Sequence, residues 1–140
     1  MSAFRKIVAA EVPEPPGASW SNCLLIGREV VFSGVTARTA DGNAAGGDSM
    51  AAQTAAIFAK IKAQLAAAGG RDGNIYRLVI YVTDIARKDE VNAARKAAFR
   101  DVYPCSTLVE VSGFVFPDLL VEVDAFANLD VDLQAEGADR

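Results

Sequence analysis

The chain has 140 residues, 51% of them hydrophobic, and this amount of apolar material suits one folded domain with a proper core. Its 14 basic residues are scattered among 18 acidic ones for a net charge of −4, which argues against a nucleic-acid partner. No histidine occurs, so catalytic triads and HExxH-type metal sites are excluded.

The chain carries no sign of a membrane or secreted location. No stretch approaches the roughly 18 apolar residues that a membrane span requires, and no signal-peptide pattern opens the chain. We therefore expect a soluble, cytoplasmic protein without a membrane partner. The two cysteines, Cys23 and Cys105, lie far apart and are expected to be free thiols.

The N-terminal half predicts three short strands followed by a helix. RKIVAAEVPEPP combines an apolar run with prolines that fit only an edge strand or a loop. NCLLIGREVVFSG has the spacing of a tight hairpin that turns at residues 27–29, and TADGNAAGGD is a turn-rich loop. Apolar residues then recur at helical spacing over residues 50–68, with Asp48 or Ser49 as N-cap and Gly69-Gly70 as the stop.

The C-terminal half predicts a strand, a helix and two strands. NIYRLVIYVTDI is rich in β-branched and aromatic residues and is expected to be mostly buried on both faces. A second helix begins near Lys88 or Asp89 and ends before Pro104. Its inward residues are Val91, Ala94, Ala98 and Val102. STLVEVSGFV and LLVEVDAFANL are the last strands, joined by a turn at residues 116–118, and the acidic tail after them is expected to be frayed.

This order of elements predicts an α+β fold, a single mixed β-sheet with two helices packed on one face. Residues 1–130 would form this one domain, and residues 131–140 a short acidic tail. The other face of the sheet carries too many apolar positions to stand in water. We therefore expect copies of the same chain to cover it, giving a homo-oligomer.

An ordered set of motifs resembles the RidA (YjgF) family of enamine and imine deaminases. The motifs are VVFSG, a long helix bearing Gln53, YVTDI, VNAARKAAF, YPCSTLVEV and LLVEVDAFA, and they extend from Trp20 to Leu129. The resemblance implies a chorismate-mutase-like domain that forms a homotrimer. It also implies a ligand cleft at each subunit interface and chemistry without a metal or an organic cofactor.

One position departs from the family pattern. In the active branch of the family, an Arg that follows Pro and a small residue binds the substrate carboxylate, a Glu orients water, and hydrolysis releases ammonia and a keto acid. Here the corresponding residues are Pro104, Cys105 and Ser106, so a hydroxyl stands where the guanidinium would be. A hydrogen bond to a charged group contributes roughly 1.5–3 kcal/mol, so its loss would weaken the binding of an acidic substrate by about tenfold to a hundredfold.

Other positions match residues of the family's cleft. Glu122 matches the Glu that positions water, Ser33-Gly34 the pair that lines the cleft, and Asn92 a helix Asn. Trp20 stands where an aromatic side chain reaches into the cleft. Each of these residues also has an interpretation without a role in ligand binding. Ser33-Gly34 could serve turn geometry, Asn92 could be a solvated helix residue, Trp20 could pack at an interface, and Glu122 could be a solvated carboxylate at the rim.

Strand alternation gives these residues a relative placement. In LLVEVDAFA, Glu122 and Asp124 share one face, and in STLVEV Ser106 shares a face with Glu110. If the two faces coincide, Ser106, Glu110 and Glu122 converge at a half-buried site, where burial raises a carboxyl pKa toward values useful in acid–base catalysis.

Two arginines and a cysteine complete the set of candidates. Arg95, one helical turn from Asn92, and Arg38, beyond the 33–34 turn, could replace the missing cation, although such residues are more often solvated charges. Cys105 adjoins Ser106 and could contact substrate. No His, Lys or Arg stands beside it to activate the thiol, so a small buried thiol is expected rather than a nucleophile.

These observations favour a hydrolytic deaminase of small imines, enamines or related amino compounds, acting through Glu122-activated water with Ser106 at the substrate. Loss of the Arg would shift its preference toward neutral or hydrogen-bonding substrates. The alternative is a non-catalytic trimeric small-molecule binder or sensor. A further alternative is a catabolic-pathway deaminase of an amino-muconate-like compound, whose acidic groups would need Arg38 or Arg95.

Overall fold

A computed structural model describes residues 3–135, which form one mixed seven-stranded sheet with two α-helices on one face. The strands are β1 (Phe4–Lys6), β2 (Cys23–Ile26), β3 (Glu29–Phe32), β4 (Val35–Thr36), β5 (Ile75–Val82), β6 (Cys105–Glu110) and β7 (Val121–Asn128). The helices are α1 (Met50–Ala67) and α2 (Lys88–Ala98). The predicted α+β architecture is confirmed.

The strand order is β1-β2-β3-β7-β5-β6, and β4 also pairs with β7. Only β5 and β6 pair in parallel among the described strands, because α2 crosses over between them and returns the chain to the same end of the sheet. The β2–β3 hairpin closes through two residues, Gly27 and Arg28, since Ile26 pairs with Glu29. Gly27 has a φ of 61°, a left-handed conformation that this tight turn requires.

Helix α1 begins and ends close to the predicted residues. Ser49 is its N-cap, and the Ser49 side chain accepts a hydrogen bond from the backbone N–H of Ala52. Gly69 follows the C-cap with a φ of 87°. The buried Gln53 ties this helix to two loops: its amide donates to the carbonyl oxygens of Gly47 and Asp118 and accepts from the N–H of Leu120.

Helix α2 ends earlier than the sequence pattern indicates. It stops at Ala98, and Val102 lies in the following loop rather than on its inward stripe. Phe99 turns into extended backbone and packs edge-on against Phe58, with ring centroids 5.4 Å apart. The ammonium of Lys62 donates to the carbonyl oxygen of Ala98 and caps the helix end. A tertiary contact therefore ends the helix before Pro104 could.

Strand alternation divides the sheet into two unlike faces. The face under the helices is fully buried and includes Leu78, Ile80, Val82, Val121 and Val123. On the opposite side, here called the open face, every second residue of β5 is only half-buried. The prediction that β5 is mostly buried on both faces therefore holds for the helix side, but on the open face of a single chain the strand is only half-buried.

The open face carries the apolar surplus that the sequence predicts. Its exposed apolar side chains, 37–58% accessible, are Phe4, Ile26, Val31, Val109 and Phe126. No helix among residues 3–135 has the length and hydropathy needed to span a bilayer. Cys23 and Cys105 are both free thiols, as predicted.

The segment after β7 is held against the body of the domain. The N–H of Leu133 donates to the carbonyl oxygen of Gly73 at 2.8 Å, and Asp132 forms an ion pair with Arg71 at 3.2 Å. The Asn74 amide donates to the carbonyl oxygen of Val131 at 2.7 Å. The prediction of a frayed tail is thus wrong through residue 135, and its remaining part lies outside the described residues.

Candidate functional site

A bulge between β3 and β4 positions Ser33 and Gly34. On β3, Val31 pairs with Phe126, whereas on β4, Val35 pairs with Val123, so one extra residue stands on the β3–β4 side. Such an insertion bends the chain and re-aims the residues beside it. Ser33 fixes the bend, because its hydroxyl donates to the carbonyl oxygen of Ser21 at 2.6 Å.

Gly34 lies directly over the carboxylates of β7. A Cβ atom at this position would stand 2.7 Å from Oε2 of Glu122 and 3.2 Å from Oδ1 of Asp124, so a larger residue would displace Glu122. These two distances limit the separation of the two oxygens to about 6 Å, a range over which like charges interact. The bulge therefore brings a glycine and two carboxylates to one point of the open face.

The environment of Glu122 makes its ionised form less favourable than that of a carboxyl group in water. Its side chain is half-buried on the open face, where it pairs across the strands with Tyr81 and Thr36. Burial raises the pKa of Glu122, and the negative charge of Asp124 raises it further. The Tyr81 hydroxyl donates to Asp124 Oδ2 at 2.9 Å, and this bond to a carboxylate raises the pKa of Tyr81. Glu122 is thus protonated more readily than an exposed carboxylate.

This raised pKa predicts a pH-dependent stability difference. Folding favours protonated Glu122, so its stabilising contribution is complete below the pKa of the unfolded chain and is lost as pH rises through the folded pKa. We expect Glu122→Gln to unfold at a higher temperature than wild type at pH 7, with a difference that shrinks toward pH 4. The check is thermal unfolding at a series of pH values, with the exposed Glu11→Gln as control. A constant or reversed difference would contradict it.

Ser106 and Glu122 lie on opposite faces of the sheet. Ser106 pairs with Leu78 and Glu110 with Val82, both of which face the helices, whereas Glu122 faces away from them. The condition for Ser106, Glu110 and Glu122 to converge, that the two strand faces coincide, is therefore not met within one chain. Alternation shows which residues of a strand share a face. Only the register of β6 against β5 decides which of the two sets of residues faces the helices.

Ser106 belongs instead to a second group, here called the edge cluster, formed by Arg95, Asn92 and Ser106. Arg95 Nη1 donates to Ser106 Oγ at 2.8 Å, and its Nη2 donates to Asn92 Oδ1 at 3.4 Å. The cluster joins α2 to β6, the edge strand of the sheet. Glu110 stands apart from it and accepts a hydrogen bond from the N–H of Ile85.

Three further candidates have clear positions. Trp20 is 51% exposed, and its indole N–H donates to Asn22, within the loop that also contacts Ser33. Arg38 forms an ion pair with Asp118 at 3.5 Å, and its guanidinium stacks 3.5 Å from the Phe116 ring centroid. Cys105 is exposed on the open-face side of β6, so the prediction of a buried thiol is wrong.

Sequence reasoning missed the roles of Tyr81 and Lys60. Tyr81 opens the YVTDI motif, but nothing in that motif indicates its partner, which it reaches because β5 and β7 are neighbours. The Lys60 ammonium donates to the carbonyl oxygens of Thr36 and Arg38, and burial lowers its pKa. It holds the backbone of β4 beside Glu122.

Across the described part of the chain, no three Cys, Asp or Glu side chains are grouped so that they could hold a metal ion.

The fold places this chain among the chorismate-mutase-like α+β proteins of the YjgF type. The family model described as Endoribonuclease L-PSP matches residues 12–129, and the chain belongs to this family, which includes the YjgF/RidA/UK114 proteins. No curated protein matches the chain.

Solved structures support the assignment. A protein of unknown function from Pseudomonas aeruginosa is 49% identical, with a TM-score of 0.87, over 97% of this chain and 99% of that one. A YjgF/YER057c/UK114 family member from Mycobacterium tuberculosis is 32% identical, with a TM-score of 0.76, over 90% and 99%. The Rid protein YyfA from Yersinia pestis is 25% identical, with a TM-score of 0.81, over 90% and 99%.

Proposed function

We propose that this protein is a RidA-like hydrolytic deaminase of small imines, enamines or related amino compounds, with a substrate preference altered by Ser106. The observation that carries the proposal is the half-buried Glu122, held under Gly34 beside Asp124 with a raised pKa. A carboxyl group whose pKa is raised by burial and by a neighbouring carboxylate is a stronger base than an exposed one, and it can take a proton and return it within one reaction cycle. Catalysis uses no metal and no organic cofactor.

The reaction follows from this acid–base role. Ionised Glu122 takes a proton from a water molecule as the water oxygen bonds to the imine carbon and the C=N π electrons move to nitrogen. Protonated Glu122 then gives the proton to that nitrogen. The product of this step is a carbinolamine, in which one carbon carries both OH and NH2. Glu122 then takes the proton of the hydroxyl group and passes it to the nitrogen, the C–N bond breaks as ammonia leaves with the bonding electron pair, and an oxygen lone pair forms the C=O bond of the carbonyl product. An enamine enters the same path after protonation at carbon gives its iminium form.

The substrate contacts divide between two surfaces. Ser33, Gly34 and Trp20 belong to the Glu122 side, where the bulge and the 20–22 loop meet. The other contacts, at or beside the sheet edge formed by β6, are Asn92, Arg95, Cys105 and Ser106. Since a single chain separates these surfaces, one pocket that uses both requires two copies.

We propose that the pocket is completed in a homotrimer. The apolar side chains of the open face, among them Val31, Val109 and Phe126, are too exposed for a stable monomer surface and would be buried between subunits. We expect light scattering to give a mass three times the 14.7 kDa of one chain. A monomeric mass at micromolar concentration would contradict this proposal.

The activity is tested by ammonia release. The panel comprises 2-iminopropionate, generated by an amino-acid oxidase, and neutral imines of similar size, with carbonyl formation followed in parallel. Equal amounts of ammonia and carbonyl product, above the uncatalysed rate, are expected. If no compound of the panel releases ammonia above the uncatalysed rate, the proposal is wrong.

A non-catalytic binder is the second candidate function, and the absence of a strand guanidinium at position 106 favours it. A metabolite that stabilises the protein in a thermal-shift screen without being consumed would support the binder. RNA cleavage, which the family description names, is disfavoured for this chain because it has a net charge of −4 and no histidine.

A further inference from the structure

We propose that Asp124, held in place by the hydroxyl group of Tyr81, is a second catalytic carboxylate that accepts a hydrogen bond from the attacking water while Glu122 takes that water's other hydrogen as a proton. The inference rests on the proposed function and gives a role to two further side chains. Asp124 touches the reacting water and is a catalytic residue. Tyr81 acts through Asp124 and is a positioning residue.

Two carboxylate oxygens face the same small space beside Gly34. A Cβ atom at Gly34 would lie 2.7 Å from Glu122 Oε2 and 3.2 Å from Asp124 Oδ1, so the two oxygens are at most about 6 Å apart. A hydrogen bond between oxygens is about 2.5–3.0 Å long, so one water molecule can donate to two oxygens up to about 6 Å apart. A larger residue at position 34 would fill this space, whereas glycine leaves it open. The geometry therefore fits a water that both carboxylates hold.

Tyr81 fixes the orientation of Asp124. Its hydroxyl donates to Asp124 Oδ2 at 2.9 Å, which leaves Oδ1 as the oxygen on the side of Gly34 and Glu122. Tyr81 lies on β5, directly opposite Glu122 and diagonal to Asp124, and a tyrosine side chain can span such a diagonal between neighbouring strands. A carboxylate that is held through one oxygen rotates less freely. Its other oxygen is therefore an acceptor of fixed position.

A fixed second acceptor orients the water more strictly than Glu122 alone. One hydrogen bond leaves a water molecule free to rotate about it, whereas bonds to Glu122 and Asp124 together direct an oxygen lone pair away from both carboxylates, toward the substrate. As the water oxygen bonds to the imine carbon, one hydrogen passes to Glu122. The other stays on the oxygen, bonded to Asp124, and becomes the hydroxyl hydrogen of the carbinolamine. Asp124 takes no proton in this step and keeps its charge.

The first test compares two tyrosines of β5. Tyr81→Phe is expected to lower kcat roughly tenfold with little change in KM, because it disturbs the water rather than the contacts to the substrate. Tyr76→Phe is the matched control, since the Tyr76 hydroxyl also donates to a carboxylate, Glu29 Oε2, at 2.8 Å. Its kcat should stay within about twofold of wild type. Equal losses in the two variants, or full activity in Tyr81→Phe, would overturn the role of Tyr81.

The groups around Glu122 determine how its protonation responds to Asp124. Burial raises the pKa of Glu122, and the negative charge of Asp124 raises it further. In the described part of the chain, β5 contributes Tyr81 and β4 the uncharged Thr36, whose carbonyl oxygen accepts from the Lys60 ammonium of α1. Removing the charge of Asp124 should therefore lower the pKa of Glu122.

The second test is the pH dependence of kcat/KM in Asp124→Asn. Ionised Glu122 is the base, so activity rises with pH through its pKa, and a lower pKa moves this limb to lower pH. The plateau above the limb is expected to fall roughly 10- to 100-fold, because the water loses a charged acceptor. Glu29→Gln, which removes another half-buried carboxylate, should change neither. A merely structural role would lower activity without moving the limb, so an unmoved limb or a wild-type plateau would overturn the role of Asp124.

A measurement without turnover separates this inference from the proposed function. In a high-resolution crystal structure of the wild type, we expect one water within about 3 Å of both Glu122 Oε2 and Asp124 Oδ1, and in Tyr81→Phe the loss of this water or a rotation of Asp124. This result would support the water-holding pair even if no imine of the panel is turned over. A water bound by Glu122 alone, no water at this position, or an unchanged arrangement in Tyr81→Phe would overturn it even if the protein proves to be an active deaminase.

Discussion

Glu122→Gln is expected to abolish deamination, with kcat lower by roughly 10²- to 10⁴-fold, the usual worth of a positioned acid–base group. The amide keeps the size of the side chain and fits under Gly34, but it cannot take a proton from water. KM should change little, because Glu122 acts on the water rather than on the rest of the substrate. The measurement is steady-state ammonia release over pH 5–9 on the best substrate of the panel.

The controls for this result come from the same chain. Glu110→Gln removes a carboxylate on the helix face and should retain near-full activity. In the described part of the chain, this carboxylate accepts a hydrogen bond from the N–H of Ile85. A loss of equal size in both variants would indicate a general charge effect. Full activity in Glu122→Gln would show that the proposed mechanism is wrong.

Gln53→Ala is expected to lower the free energy of unfolding by about 3–5 kcal/mol. The side chain is fully buried and satisfies the carbonyl oxygens of Gly47 and Asp118 and the N–H of Leu120. Its removal leaves these backbone groups without partners and opens a cavity under the chain that leads into β7. The measurement is urea unfolding followed by far-ultraviolet circular dichroism.

Gln64 supplies a matched comparison for this stability prediction. It is also buried on α1, but its Oε1 has no hydrogen-bond partner within residues 3–135. Gln64→Leu should therefore cost less than about 1 kcal/mol or even stabilise, because it removes an unsatisfied buried acceptor. Similar losses for Gln53→Ala and Gln64→Leu would contradict the role assigned to Gln53.

Local chemistry determined much of this fold from the sequence alone. Ser49 caps α1 and Gly69 follows it, because side-chain capping and a left-handed residue satisfy helix ends whatever the helix packs against. The Gly27-Arg28 turn specifies its hairpin in the same way. Alternation also placed Glu122 and Asp124 together, because neighbours two apart on a strand share a face.

Only the tertiary structure decided how these local elements meet. Register places Ser106 on the helix side and Glu122 on the open face, a relation between strands far apart in the chain that no spacing within either strand encodes. The bulge at Gly34 arises from the pairing of two strands with β7, and α2 ends at Ala98 because Phe99 packs against Phe58. Long-range packing, rather than propensity, therefore places the candidate catalytic carboxylate and the edge cluster on different surfaces.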